Sequence, residues 1–273
     1  MKQIFVTATD TDAGKTFVSC ALIHALTHHN SASTNETMKV AVFKPISAGC
    51  ELVDGQLINE DAKLLSEFAN CNQSIAHINP IAFEQPIAPH IAAKKLNQQI
   101  TIADISHHYQ QVKSLNADVT LVEGAGGWRL PLGPSPHSPV TLDAKSTFSN
   151  HNTETTSDNK KLPYQFLSDF VKGAKLEVIL IVNMKLGCLN HALLTYETIK
   201  ADGLECIAWI ANCAASDAMN NLSENISELE KLLPIPKIAQ FDFITDVDEA
   251  GNNISYHEKI NRAANKINLS VLV

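Results

Sequence analysis

An apolar run, a polar loop and a helical pattern follow one another at the start of the chain, and the residues at their junction leave few folds open. The run QIFVTA leads into TDTDAGKT, and apolar positions at helical spacing extend from Gly14 to about residue 29. Successive backbone N–H groups in such a loop curl around phosphate oxygens, and the helix start adds about half a positive charge. Gly14 admits close backbone approach, Lys15 can bridge the outer phosphates, and the Thr16 hydroxyl can ligate Mg²⁺. From Ala8 to Gly14-Lys15-Thr16 the spacing is one residue longer than the common phosphate-loop pattern. The strand–loop–helix context still favours a nucleotide site over a chance match.

The rest of the chain repeats the alternation. KVAVFKP, DVTLVEG, EVILIVN and CIAWIANC read as strands. Helical patterns cover about 60–68, 102–112, 190–200, 221–233 and 258–267. In the first helix Phe17, Cys20, Ala21, Ile23 and Ala25 are expected on the buried side. Continuous apolar strands between helices predict an α/β fold: a mostly parallel sheet with helices on both faces and right-handed crossovers. We expect one domain over residues 1–273. Residues 31–37 read as a polar loop. Residues 133–162 are Ser, Thr, Asn, Pro and His with few large apolar groups, and read as a mobile polar insertion; a lid over the site is the alternative.

A formal net charge of −8 argues against a nucleic-acid face. No apolar run reaches the length of a membrane span, and the N-terminus does not read as a signal peptide. The six cysteines form no C-x-x-C pair, which predicts reduced thiols and a cytoplasmic location. His24 and His28 lack the intervening glutamate of a metal motif and read as surface histidines.

Asp10 and Asp12 are unusual in a phosphate loop. Asp10 could face Mg²⁺ or its water; Asp12 could accept from a ribose hydroxyl, a backbone N–H or an amine; both could simply cap the turn. Glu123, at the end of a strand, stands where a second carboxylate is expected, and GAGG behind it allows close backbone approach. Asp61 in NEDA is a helix N-cap candidate and a possible ligand. Thr16, Asp61 and Glu123 could hold Mg²⁺ together with phosphate oxygens and water. Lys44, at the C-terminal end of KVAVFKP, points to the same crevice.

With these residues in place, the chain resembles the dethiobiotin synthetases over most of its length. The resemblance rests on TATDTDAGKTFVSCAL, FKPISAG, NEDA, PIAPHIAA, LVEGAGGW, VNMKLGCLNHALLT and WIAN, in that order. It implies a P-loop NTPase-like fold and a homodimer that makes dethiobiotin from 7,8-diaminononanoate, CO₂ and MgATP, through a carbamate and a carbamic–phosphoric anhydride. It implies catalytic roles for Lys15, Lys44 and Thr11. The implied ATP-binding set is Asp12, Ala13, Gly14, Lys15, Thr16, Phe17, Asp61, Glu123, Gly124, Ala125, Gly126 and Asn212, with Asn212 reading adenine. Thr11, Lys44 and Ser47 would contact substrate, and Leu186, Gly187 and Asn190 would bind its carboxylate from the partner subunit, Asn190 as helix N-cap. Ala48, Ala88, Ala239 and Asp242 depart from the pattern. The competing readings are a switch ATPase of the partitioning or cell-division type, argued against by the absence of a lysine early in the loop, and a related ligase with another substrate.

Overall fold

The computed structural model describes residues 1–29, 37–135, 164–217, 219–247 and 251–273. In chain order the elements begin β1 (Lys2–Ala8), α1 (Lys15–Thr27), β2 (Val40–Phe43), β3 (Ile46–Ala48), β4 (Glu51–Val53), β5 (Gln56–Ile58), α2 (Glu60–Phe68), α3 (Ile75–Ile78), β6 (Ile81–Phe83) and α4 (Pro89–Lys95). They continue with α5 (Ile102–Lys113), β7 (Val119–Glu123), β8 (Pro131–Pro134), β9 (Tyr164–Phe166), α6 (Leu167–Ala174), β10 (Glu177–Asn183), α7 (Cys188–Ala201), β11 (Cys206–Asn212), α8 (Leu222–Leu232), β12 (Lys237–Phe241) and α9 (Tyr256–Ala264).

Six strands form one parallel sheet in the order β12-β11-β10-β1-β7-β2. Alternation along β1 explains its two layers. Ile4, Val6 and Ala8 join the core packed by α1, α2 and α9. Phe5 joins the core on the other face, packed by α5, α6, α7 and α8. β1, β2, β7, β10 and β11 fall where the apolar runs predict them.

The expected parallel sheet covered on both faces is therefore the observed one. Some details differ. Phe17 and Ala25 are only half-buried, whereas Val18, Leu22 and Leu26 are fully buried, because α1 sits between the sheet, α2 and α9. A helix enclosed on most sides has no single apolar stripe for the pattern to reveal. Most of 133–162 lies outside the described residues, as does most of 31–37. Gly133 and Pro134 belong to β8, which pairs antiparallel with β9, so the polar stretch departs from an ordered strand.

β2 is an edge strand whose outer side is closed by the segment that follows α2. Asn70 donates to the Met38 carbonyl and accepts from the Val40 N–H. The Gln73 amide makes the same paired contact with the Val42 N–H and C=O, both at 2.9 Å. The Lys44 N–H donates to the Ile78 carbonyl.

Candidate active site

The loop between β1 and α1 lies at the C-terminal edge of the sheet, centrally placed by the strand order. Asp12 and Gly14 take left-handed φ values of 56° and 74°. Glycine at 14 is required twice over: by that φ, and because a Cβ there would lie 2.3 Å from Asn212 Nδ2. Asn212, at the end of β11, donates to the Ala13 carbonyl at 2.8 Å and braces the loop. No side-chain hydrogen bond caps α1, so no capping side chain takes up the N–H groups of its first turn.

Two cation–carboxylate contacts organise the charge beside this loop. Lys44 Nζ lies 2.5 Å from Glu123 Oε1 and 2.7 Å from Asp61 Oδ2. Thr16 Oγ1 donates to the same Glu123 oxygen at 3.1 Å, and Lys15 Nζ donates to the Asp10 carbonyl at 3.3 Å. Burial alone would pull Lys44 down, but the Glu123 and Asp61 carboxylates outweigh it and hold its ammonium above the usual lysine range. Burial pulls Lys15 below its usual range, with the Lys44 charge adding to it and Glu123 opposing. For Asp61, burial is outweighed by Lys44 and the Thr16 hydroxyl, which hold its carboxyl low. Glu123 is wholly buried, and its Oε2 has no hydrogen-bond partner among the described residues.

A cavity of about 770 Å³ opens above this cluster. Thr11, Asp12, Gly14, Lys15, Thr16, Phe17, Lys44, Ser47, Asp61, Ala125 and Gly126 all line it. Pro86, Ile87, Pro89 and Leu130 form an apolar wall, with Ala48 and Ala88 beside them. Ala13, Glu123 and Gly124 lie buried beneath. Gly124 is also sterically fixed, since a Cβ would lie 2.8 Å from the Phe5 ring.

A family model described as an AAA domain matches residues 2–135 and 153–250. The ATP-dependent dethiobiotin synthetase of Alteromonas mediterranea is 41% identical over 264 residues, which cover 95% of this chain and 100% of that protein. The chain belongs to the dethiobiotin synthetase family. Two further dethiobiotin synthetases agree: that of Pseudoalteromonas translucida at 40% identity (88% of this chain, 89% of the relative) and that of Aeromonas salmonicida at 38% (92% and 94%). Among solved structures, a ParA family ATPase from Chlorobium tepidum covers 100% of this chain and 93% of its own, at 14% identity and a TM-score of 0.48. A MinC:MinD cell division complex from Aquifex aeolicus covers 96% and 86%, at 12% and 0.48.

Several residues differ from the sequence reading of this family member. Asp61 is not the N-cap of α2: the Asn59 side chain takes that place, accepting from the Ala62 N–H, which leaves Asp61 free to face Lys44. Asn190 is not the N-cap of α7 either. Gly187 holds that position with a left-handed φ of 94°, and Asn190 lies a turn further on, exposed. Of the readings open for Asp10, the turn-capping one matches its contacts: the carboxylate accepts from the Thr11 N–H and pairs with Lys185, while the backbone carbonyl accepts from Lys15. Leu186, Gly187 and Asn190, which the sequence reading assigns to the partner subunit's site, stand exposed at the start of α7, with Leu186 93% exposed. Ala239 is buried in β12, opposite Ile210, and Asp242 lies exposed beyond it with Lys266.

The sequence reading also missed two anchors. Asp202, at the C-terminal end of α7, accepts from Trp128 Nε1 at 2.9 Å and pairs with Arg129 and Lys172. Trp128 packs edge-on against Phe5, so this carboxylate holds the far end of the loop that follows Glu123. The other is Asn79. Neither belongs to a motif; only the nearby GAGGW run could have drawn attention to Trp128.

Proposed function

We propose that this chain forms the cyclic urea of dethiobiotin from 7,8-diaminononanoate and CO₂ at the cost of ATP. One amine takes up CO₂ to give a carbamate. A carbamate oxygen attacks the γ-phosphate, and ADP leaves. The second amine then attacks the carbon of the mixed anhydride, phosphate leaves, and the ring closes. The observation that carries the reading is the pairing of Lys44 with Glu123 and Asp61 beside the phosphate loop, in a cavity with one charged side and one apolar wall. A charged side suits phosphate and carbamate, and an apolar wall suits a chain of methylenes.

In this reading Lys15 and Lys44 stabilise the charge that develops on the transferring phosphoryl group. Thr11 contacts the carbamate or the amines, and Ser47 borders the substrate. Backbone N–H groups from Asp12 to Phe17 receive phosphates, Ala125 and Gly126 line the cavity with Gly124 buried beneath, and Asn212 meets the base. The oxygen donors Thr16, Asp61 and Glu123 suit Mg²⁺, and the unpartnered Oε2 of Glu123 is a donor the fold leaves free. This set has two carboxylates; among the described residues no three His, Cys, Asp or Glu side chains gather for a metal. The remaining positions therefore fall to phosphate oxygens and water. When bound, the ion would draw charge from the β- and γ-phosphate oxygens. We further propose a cytoplasmic homodimer in which the exposed Leu186, Gly187 and Asn190 of one subunit receive the substrate carboxylate bound in the other. Among the described residues no helix is long and apolar enough to cross a membrane.

The test is direct. Purified protein receives 7,8-diaminononanoate, bicarbonate, ATP and Mg²⁺, and cyclic urea is followed by mass spectrometry. Folded protein that hydrolyses ATP without forming the urea would sink the proposal.

A further inference from the structure

Lys44 stands where the chain leaves the main sheet. β2 and β7 pair as far as Phe43 and Val122, and β3 begins at Ile46 in a separate pair with β6. The carbonyl of Lys44 thus has no ladder neighbour, and the next residue, Pro45, has no N–H to contribute. A single side chain fills the gap. Asn79 Nδ2 donates to the Lys44 carbonyl at 2.7 Å, and Asn79 Oδ1 accepts from Ser47 Oγ at 2.6 Å. Asn79 is 4% exposed and Ser47 3%.

We infer that Asn79 is a positioning residue for Lys44, acting with Ser47. One planar amide grips both ends of the Lys44-Pro45-Ile46-Ser47 turn, using a donor at one end and an acceptor at the other. The Asn79 backbone is itself anchored, since its N–H donates to the Ile75 carbonyl at 2.7 Å. The Lys44 N–H is fixed on the adjacent residue's carbonyl, at Ile78. Backbone polar groups on both sides of the Lys44 Cα are therefore tied to the end of α3. From that anchored start the side chain reaches the two carboxylates. An isolated aspartate at 79 would lack the donor, and alanine lacks both groups. Buried networks of this kind are rigid when every member is satisfied. Ser47, placed above beside the substrate, also serves as the second jaw of this clamp.

The inference rests on the reading of Lys44 as catalytic, and a double-substitution cycle separates the two. Parent, Lys44→Ala, Asn79→Ala and the double variant are compared for kcat of cyclic-urea formation and for KM of ATP and diamine. Misplacing a catalytic group by about 1 Å costs up to about 10²-fold. Asn79→Ala is expected to lower kcat by about 10- to 100-fold, with KM for ATP within about twofold, and to have no further effect when Lys44 is already alanine. A residue that merely supports the fold would lower turnover by the same factor in both backgrounds, and that result overturns the inference. If Lys44→Ala itself turns over near the parent rate, the catalytic reading of Lys44 fails, and the inference with it. Should Asn79→Ala show no cooperative melting, Ser47→Ala replaces it in the same cycle, since it releases only one jaw. Full additivity with Lys44→Ala then overturns the inference equally.

Discussion

Replacing Lys44 by alanine should damage stability and turnover by separable amounts. Glu123 is wholly buried and keeps Lys44 Nζ at 2.5 Å. Removing one partner of a buried ion pair costs about 3–5 kcal/mol, because the other charge stays buried and uncompensated. The lower end applies here. Thr16 still donates to Glu123, Lys15 still bears on it, and the Asp61 side chain is 40% exposed and regains water. With an unfolding entropy of about 2.1 cal/mol/K per residue, about 3 kcal/mol lowers Tm by about 5 °C in a chain of this length. Turnover should fall by about 10²–10³, the usual effect of deleting one donor aimed at developing charge, with KM for ATP changed far less. Calorimetry and steady-state kinetics read the two effects. Adding Glu123→Gln to the variant removes the stranded charge, so it should return most of the lost Tm and none of the lost turnover. An unchanged Tm in Lys44→Ala would refute the buried-charge argument, and near-normal turnover would refute the catalytic one.

Two further outcomes are expected. If each site is completed across a homodimer, Lys15→Ala and Asn190→Ala are each inactive, yet mixing them under subunit exchange restores some activity through heterodimers with one intact composite site; an active monomer, or no recovery despite proven exchange, counts against it. Burial pushes the Asp202 carboxyl up, but hydrogen bonds from Trp128 and Arg129 and the Arg129 charge outweigh it and hold the group below its ordinary value of 3.8. A carboxyl held low stabilises the fold above its unfolded pKa and loses that contribution as pH falls through its folded pKa. The Tm gap between the parent and Asp202→Asn should therefore be full near pH 7 and close only below pH 3.8. A gap already gone at about pH 5 contradicts this linkage.

What the sequence showed of the fold and site follows from how each part is held. β1, β2, β7, β10 and β11 are buried on both faces, so their apolar runs are continuous and legible. β4 and β5 are largely exposed and three residues each, too short to show a period. α6 was not anticipated, since its eight residues follow directly on a strand at the end of the polar stretch. Lys44, Asp61, Glu123 and Thr16 were legible as a group because phosphate chemistry requires those side chains at strand and helix ends. The misplaced caps at Asp61 and Asn190 have a shared cause. A neighbouring residue was the better cap: Asn59 by its side chain, Gly187 by its backbone freedom. Asn79 and Asp202 were invisible because they bind backbone or residues distant in sequence, and no spacing rule records such partners.

The closed outer side of β2 bears on how the chain survives its own assembly. β2 must wait for β7, which pairs Val40 with Val119, far downstream. An unpaired strand of four buried apolar residues is a template for other chains while it waits. The amides of Asn70 and Gln73 arrive only about 30 residues after the strand they cover. One side of the strand is thus occupied by polar side chains that mimic a neighbour but cannot propagate a sheet. In the folded chain the outer backbone groups of Val40 and Val42 are therefore already taken, and a second copy cannot extend the sheet by pairing with them.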